Sequence, residues 1–235
     1  LLGMNYKVIH EPRIVSTTTR IVLPTTLILL VVGTALFWIF ENHNVLDGMS
    51  FTGKFATSFM GAVTPRTAGF NNVDMSMLHV PTIFLTIVLM WIGAAPMSTG
   101  GGIKVTTASI MFLLFKSELS GNSSVVFRNR IISNKTILQA FTVILFFLTM
   151  LVVGYVILLE TNPTLSPLGL LFESVSAIAT VGVSMDLTPN LNTLGRLVIM
   201  ALMFIGRVGP ITVLLSLMTK KEKHISYAPT DISVG

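Results

Sequence analysis

Two short segments of this 235-residue chain carry residues whose types and spacing suit the handling of a bare cation. One is Thr67-Ala68-Gly69-Phe70-Asn71 and the other is Thr180-Val181-Gly182-Val183-Ser184. A Thr-x-Gly segment at the C-terminal end of a short helix lets successive backbone carbonyls line an axis and replace the hydration shell of a monovalent ion. The short helix aims its negative end at the same place. Thr67 and Thr180 can add hydroxyl oxygens, and Gly69 and Gly182 supply backbone angles that a Cβ would make costly. No carboxylate cluster accompanies them, which argues against a divalent-selective site. A single Thr-x-Gly is worth no more than a turn. The weight lies in the duplication.

The two threonines lie 113 positions apart, and the same shift brings Phe59 onto Phe172 and Met90-Trp91-Ile92-Gly93 onto Met203-Phe204-Ile205-Gly206. Internal repetition of this kind fixes an architecture before any local propensity does. Each copy follows a short apolar helical segment, 51–63 or 168–179, and each is flanked by long apolar runs. The repeated unit is span, re-entrant loop, span. The chain is 52% hydrophobic and 11% charged, with mean hydropathy +0.81. A soluble domain carries about 25% charged residues, so the expectation is an integral membrane protein in a lipid bilayer. Residues 21–40 form an uncharged run of 20, long enough to cross the hydrocarbon core, with Pro24 placed near its start. Further spans are expected at 137–159 and 194–218.

Residues 81–115 form one apolar segment too long for a straight span, and its middle reads Ala94-Ala95-Pro96-Met97-Ser98-Thr99-Gly100-Gly101-Gly102. A proline followed by three consecutive glycines cannot continue a regular helix. The expectation is a helix over about 81–95, an intramembrane loop over about 96–104 and a second helix over about 105–116. A break at membrane depth must lie in protein or line a wet cavity. A passive kink in a tilted helix is the bland alternative. The Gly-x4-Gly-Lys spacing of a phosphate-cradling loop is absent.

The fold class is therefore an all-α membrane protein with two tandem span–pore loop–span units and a broken second span in the first. The expected divisions are a cytoplasmic linker over 1–19, the first unit over 20–116, a cytoplasmic loop over 117–136, the second unit over 137–219 and a cytoplasmic tail over 220–235. Lys7, Arg13, Arg20, Lys116, Arg128, Arg130, Lys135, Lys220, Lys221 and Lys223 fall on one side of this arrangement. Basic loops stay cytoplasmic, so both termini are placed inside a multi-pass cell-membrane protein. Glu41, Asp47, Asp74, Glu160 and Asp186 fall outside, where they would concentrate cations. The same distribution explains the net charge of +5 without nucleic acid. With no cysteine, disulfides and thiolate metal sites are excluded, and the four histidines nowhere pair at metal-ligand spacing. Two glycosylation sequons, at Asn122 and Asn134, lie on the cytoplasmic side and are chance matches. The opening Leu1-Leu2-Gly3 lacks an initiator Met, and the polar residues behind it suggest part of a longer chain.

One charge, Arg207, falls well inside the last span, where an arginine costs about 2.5–3.5 kcal/mol. The repeat places it opposite Ala94, beside the broken loop, as a fixed positive charge under the filter. Lys104 stands at the loop's inner end, as a gate residue or as a side chain reaching for the interface. Glu173 is expected behind the second filter, bonded to its backbone. Arg66, Lys54 and Arg196 are placed near the outer side with no role.

The chain resembles the C-terminal half of the Trk/Ktr/HKT-type potassium transporters, most closely a Ktr-type membrane subunit (KtrB-like). The residues that carry the resemblance are Thr64-Pro65-Arg66-Thr67-Ala68-Gly69-Phe70-Asn71, Met97-Ser98-Thr99-Gly100-Gly101-Gly102-Ile103-Lys104, Ala179-Thr180-Val181-Gly182-Val183-Ser184 and Gly206-Arg207-Val208-Gly209-Pro210. The resemblance covers practically the whole chain. It implies four units around one pore, of which these are the third and fourth, so that the first two lie elsewhere in the same polypeptide or in another chain. It implies potassium as the transported ion at the two filters, with Ser98, Thr99, Gly100, Gly101, Gly102, Lys104 and Arg207 forming the gate beneath. It further implies a homodimer and a cytoplasmic nucleotide-binding regulatory ring (KtrA-like), with no cofactor in this chain and no covalent chemistry. Both filters depart from the Thr-Val-Gly-Tyr-Gly of potassium channels, and so leave the choice between potassium and sodium open. Two other classes compete. A non-conducting membrane anchor or assembly subunit would keep the fold without needing Gly69, Gly182 or the glycine run. A secondary transporter would place substrate at broken helices, but the two repeats share one orientation, unlike inverted-repeat designs.

Overall fold

A computed structural model describes residues 16–209, apart from residues 97, 99, 122, 123 and 129. Thr99, the linker up to residue 15, the last span beyond Gly209, and Lys220, Lys221 and Lys223 with the tail lie outside the described residues.

Among the described residues, seven α-helices carry the architecture. Helix α1, Thr17–Glu41, starts four residues before the apolar run, because Ser16 caps it by accepting the Thr19 amide at 3.1 Å. Pro24 therefore sits inside the helix and not in its first turn. Helix α2, Phe51–Val63, is capped by Ser50 and ends in a 3-10 turn at Thr64–Arg66. The inner helix of the first unit comes in two pieces, α3 (Val80–Trp91) and α4 (Val105–Leu119). Helices α5 (Asn134–Thr161), α6 (Pro167–Ile178) and α7 (Thr193–Val208) complete the second unit. The expected basic loop over 117–136 is shorter than foreseen. Helix α4 runs into it, and a small antiparallel hairpin, β1 (Val126–Phe127) with β2 (Arg130–Ile131), fills its middle.

At about 1.5 Å per residue, α1 with 25 residues and α5 with 28 are both long enough to cross a bilayer. Both present apolar side chains outward, Leu23, Leu27 and Val31 on α1, and Phe141, Leu145 and Val156 on α5. Water penalises such stripes and lipid does not. Inside, α1 packs on α2, α3 and α4, while α5, α6 and α7 pack on one another. Small residues allow the close approaches: a Cβ on Gly61 would stand 2.5 Å from the Phe37 ring. The units are joined by α4 against α5 and by α3 against α6, and the core at the latter holds Met90, Phe172, Ile178 and Leu202.

Glu41 does not belong to an exposed acidic face. It is fully buried at the end of α1, where its carboxylate accepts the His79 amide at 2.9 Å, the Asn44 side-chain amide at 2.7 Å and the Thr82 hydroxyl. It thereby closes the N-terminus of α3, whose capping residue His79 makes no side-chain cap, and a carboxylate there also suits the helix dipole. Asp74, by contrast, is on the surface, and the Ser76 hydroxyl and amide hold its carboxyl below the usual range. Glu41→Ala should lower stability by about 1–3 kcal/mol, the cost of leaving buried donors unpaired. A reduced thermal midpoint of the detergent-solubilised protein checks this.

Candidate ion-conduction site

The two Thr-x-Gly segments adopt the same backbone in both units. Thr67 and Thr180 have φ of 70° and 53°, and Gly69 and Gly182 have φ of 73° and 88°. A threonine in the left-handed region costs about 1–2 kcal/mol, and here it recurs at repeat-related positions, which marks a built feature. Alternate residues of opposite hand turn neighbouring peptide groups to a common side, as carbonyl lining requires. In the second segment Val181 and Val183 are buried in the core while Gly182 is exposed, and a Cβ added at Gly182 would meet open space. The two segments lie close together, since a Cβ on Gly69 would stand 2.6 Å from the Val181 carbonyl oxygen.

Each segment is tied back to the helix that leads into it. The Thr64 hydroxyl donates to the Phe70 carbonyl and the Ser176 hydroxyl to the Val183 carbonyl, both at 2.6 Å. Phe70 and Val183 correspond under the repeat, whereas the two hydroxyls are one position out of step. Sequence reasoning missed this pair, and a hydroxyl residue in the closing turn of each short helix was its only signal. Behind the second segment, Glu173 is buried and accepts the Ser184 hydroxyl, the Met185 amide at 3.1 Å and the Thr188 hydroxyl at 3.0 Å. Its role is therefore to hold the loop. Met60 occupies the equivalent place in the first unit. Phe70 and Asn71 are exposed at the end of the first segment.

The glycine-rich loop lies directly against both threonines. The Gly101 amide donates to the Thr180 hydroxyl oxygen at 2.8 Å, and a Cβ on Gly101 would come within 2.1 Å of that atom. A Cβ on Gly100 would stand 2.4 Å from the Thr67 hydroxyl oxygen. No side chain fits in these gaps, which explains the glycines better than flexibility does. The break begins at Ile92, earlier than the sequence suggests, because Ile92 and Ile103 form a parallel bridge. The Gly93 amide then donates to the Ile103 carbonyl at 2.9 Å and the Val105 amide to the Ala94 carbonyl at 3.2 Å. The backbone groups released by the break are thus paired across its mouth. Lys104 donates to the Gly100 carbonyl, and Arg207, exposed in the last turn of α7, lies within electrostatic reach of Lys104. Ser98 is exposed and closes a turn onto the Ala95 carbonyl at 2.6 Å.

Arg66, assigned no role from the sequence, reaches into the protein. Its guanidinium reaches Thr26, in the first half of α1, and the Gly93 carbonyl at the break. Lys54 bonds Asn42 and Arg196 bonds the Pro189 carbonyl. Beside the first segment a cavity of about 690 Å³ is lined by Thr26, Leu30, Arg66, Thr67, Ala94 and Pro96. Among the described residues there is no group of three or more acidic or histidine side chains that could hold a resident metal.

A helical repeat of this form defines a fold of membrane transporters. The crystal structure of the potassium transporter TrkH from Vibrio parahaemolyticus superposes on 86% of this chain and 44% of that one, with a TM-score of 0.71 at 18% identity. The chain belongs to the TrkH family of cation transport proteins, whose family model matches residues 13–227. It is 35% identical over 219 residues to the Ktr system potassium uptake protein B of Vibrio alginolyticus, covering 92% of this chain and 48% of that protein. It is 36% identical over 233 residues to the potassium/sodium uptake protein NtpJ of Enterococcus hirae, covering 96% and 52%. The chain spans about half the length of the curated relatives it matches.

Glu173→Gln keeps the size of the side chain but sets an amide against the three donors around it. It should cost about 1–3 kcal/mol and shift the thermal midpoint down, while Met60→Gln at the equivalent place shifts it much less.

Proposed function

We propose that this chain is the ion-translocating part of a potassium uptake system, supplying two of the units that surround one pore. The observation that carries this reading is the meeting of both left-handed Thr-x-Gly segments over the Gly100-Gly101 pair. Ions shed water against the carbonyls of 67–71 and 180–184 and then meet the loop of 96–104 and the cations Lys104 and Arg207. Withdrawal of the loop opens the path to the cytoplasm, and the ion moves down its electrochemical gradient. No bond is made or broken, so the activity is transport and not catalysis. The names of the relatives, potassium uptake and potassium/sodium uptake, support the cargo and leave its selectivity between the two ions to measurement.

The contrast between the two short helices supports a larger ring. In α6 nine of twelve residues are buried, and α3 of the other unit covers it. In α2 only Ser58, Gly61 and Ala62 are buried, while Phe51, Phe55 and Phe59 are 75%, 54% and 43% exposed. An inner helix from a further unit would cover that stripe as α3 covers α6. In the same reading the protein sits in the cell membrane with both termini cytoplasmic, forms a homodimer, and takes its regulation from a nucleotide-binding cytoplasmic ring. The basic hairpin loop of 117–136 and the tail of 220–235 are the surfaces that would meet the ring. The competing reading is a non-conducting anchor that keeps the fold.

Rubidium and sodium uptake by the full-length gene product, in bacterial cells lacking their own potassium uptake, separates the two. Gly182→Asp should cut rubidium uptake by at least about tenfold or erase its preference over sodium, and Arg207→Ala should raise it about tenfold, equivalent to ~1.4 kcal/mol of barrier. Equal uptake by wild type and both variants, with all three in the membrane, would put the anchor in place of the pore.

A further inference from the structure

Helices α3 and α7 are the repeat-related inner helices, yet at the paired glycines they differ. Gly93 and Gly206 correspond under the 113-residue shift. At Gly206 the helix continues to Val208 and rests against the end of α6, where an added Cβ would stand 2.0 Å from the Ile178 carbonyl oxygen. At Gly93 the chain has already left α3. Its carbonyl accepts from the Arg66 guanidinium, Nη2 to oxygen, at 3.5 Å.

The same guanidinium donates through Nη1 to the Thr26 carbonyl at 3.5 Å and through Nη2 to the Thr26 hydroxyl at 3.4 Å. Its Nε is buried and makes no hydrogen bond. The partner of Arg66 in the second unit is Ala179, and that of Thr26 is Gln139. At this repeat position the unit whose chain leaves its inner helix at Gly93 carries a guanidinium, and the other unit carries an alanine. Its three bonds are long, and a full positive charge still attracts oriented oxygens at these distances, more weakly than at close contact. Placing an arginine at this depth is costly, and a residue kept there against that cost marks something the site needs.

We propose that Arg66 is a positioning residue that latches the intramembrane loop to the first Thr-x-Gly segment and to α1. The proposal rests on the pore reading above for its functional meaning. Arg66 immediately precedes Thr67, whose hydroxyl lies against Gly100. The loop is thus held at its start by Arg66 through Gly93, and at its glycines by Lys104 and Thr180. Of these, only Arg66 ties the filter segment of the first unit to the hinge of the broken helix. A displacement of that segment pulls on the hinge, and withdrawal of the loop must break the Arg66–Gly93 contact.

The test uses the full-length protein carrying Ile103→Cys. Ile103 is 1% exposed beside the latched Gly93, and this chain has no cysteine of its own. A small membrane-permeant thiol reagent reports how often that position is uncovered, with the protein lacking Ile103→Cys as background. Arg66→Ala should speed the labelling at least about fivefold, the effect of one lost hydrogen bond of ordinary strength. Arg66→Lys should fall between it and wild type, because an ammonium reaches one acceptor where the fork reaches two residues. Thr26→Val should give a smaller increase in the same direction, and it decides the matter if Arg66→Ala does not reach the membrane. Unchanged labelling in Arg66→Ala and Thr26→Val, or a changed sodium-to-rubidium ratio without faster labelling, overturns the latch. Rubidium uptake by wild type judges the pore reading separately: a latched loop in a protein that carries no rubidium sinks the pore and leaves the latch.

Discussion

A helix that stops inside a bilayer leaves backbone donors and acceptors that neither lipid nor water will satisfy. Among the described residues, helices α2, α3 and α6 end at Val63, at Trp91 and at Ile178, and in the proposed reading these ends lie at membrane depth. Nearly every polar side chain around the site answers that constraint. Thr64 and Ser176 take up carbonyls beyond the short helices, Glu173 takes up the amide and hydroxyls past the second segment, and Lys104 and Arg66 take up carbonyls of the broken helix. In the proposed reading, the carbonyls of Thr67 to Gly69 and Thr180 to Gly182 are the ones offered to a cation. Ion handling is on this view the use made of a debt the fold cannot otherwise settle.

The duplication serves the same end and is then broken on purpose. Backbone angles and the carbonyl tether recur at or near the 113-residue shift. Where the units differ, the differences cluster under the segments. One inner helix runs through Gly206; the other opens at Gly93 and folds Gly100 and Gly101 against both threonines. Arg66 against Ala179, and Glu173 against Met60, are the side chains that accompany this division of labour. In the proposed reading the first unit carries the moving part and the second the frame.

Much of this was legible in the sequence, and for physical reasons. Helix α2 begins and ends where the apolar pattern and Thr64-Pro65 place it, because a serine cap and a proline turn act locally. The glycine run announced a break, since no helix accommodates it. The start of that break was not legible. Ile92 leaves the helix to pair with Ile103, a contact between distant residues that no local propensity reports. The burial of Glu41 and the contacts of Arg66 were not legible for a related cause. Counting charges along the chain assigns a side chain to the side where its backbone emerges, whereas both of these fold inward to serve orphaned groups on other elements. A better signal was the repeat itself, because Arg66 stands where the second unit has alanine.

In the proposed reading the backbone of 67–71 and 180–184 forms one cation site. Anomalous scattering from crystals of the full-length protein grown in rubidium tests it most directly. The account predicts a rubidium peak bounded by the carbonyls of Thr67 to Gly69 and Thr180 to Gly182, lost when Gly182 is replaced by aspartate. Ordered crystals with rubidium bound elsewhere and none between these segments would contradict it.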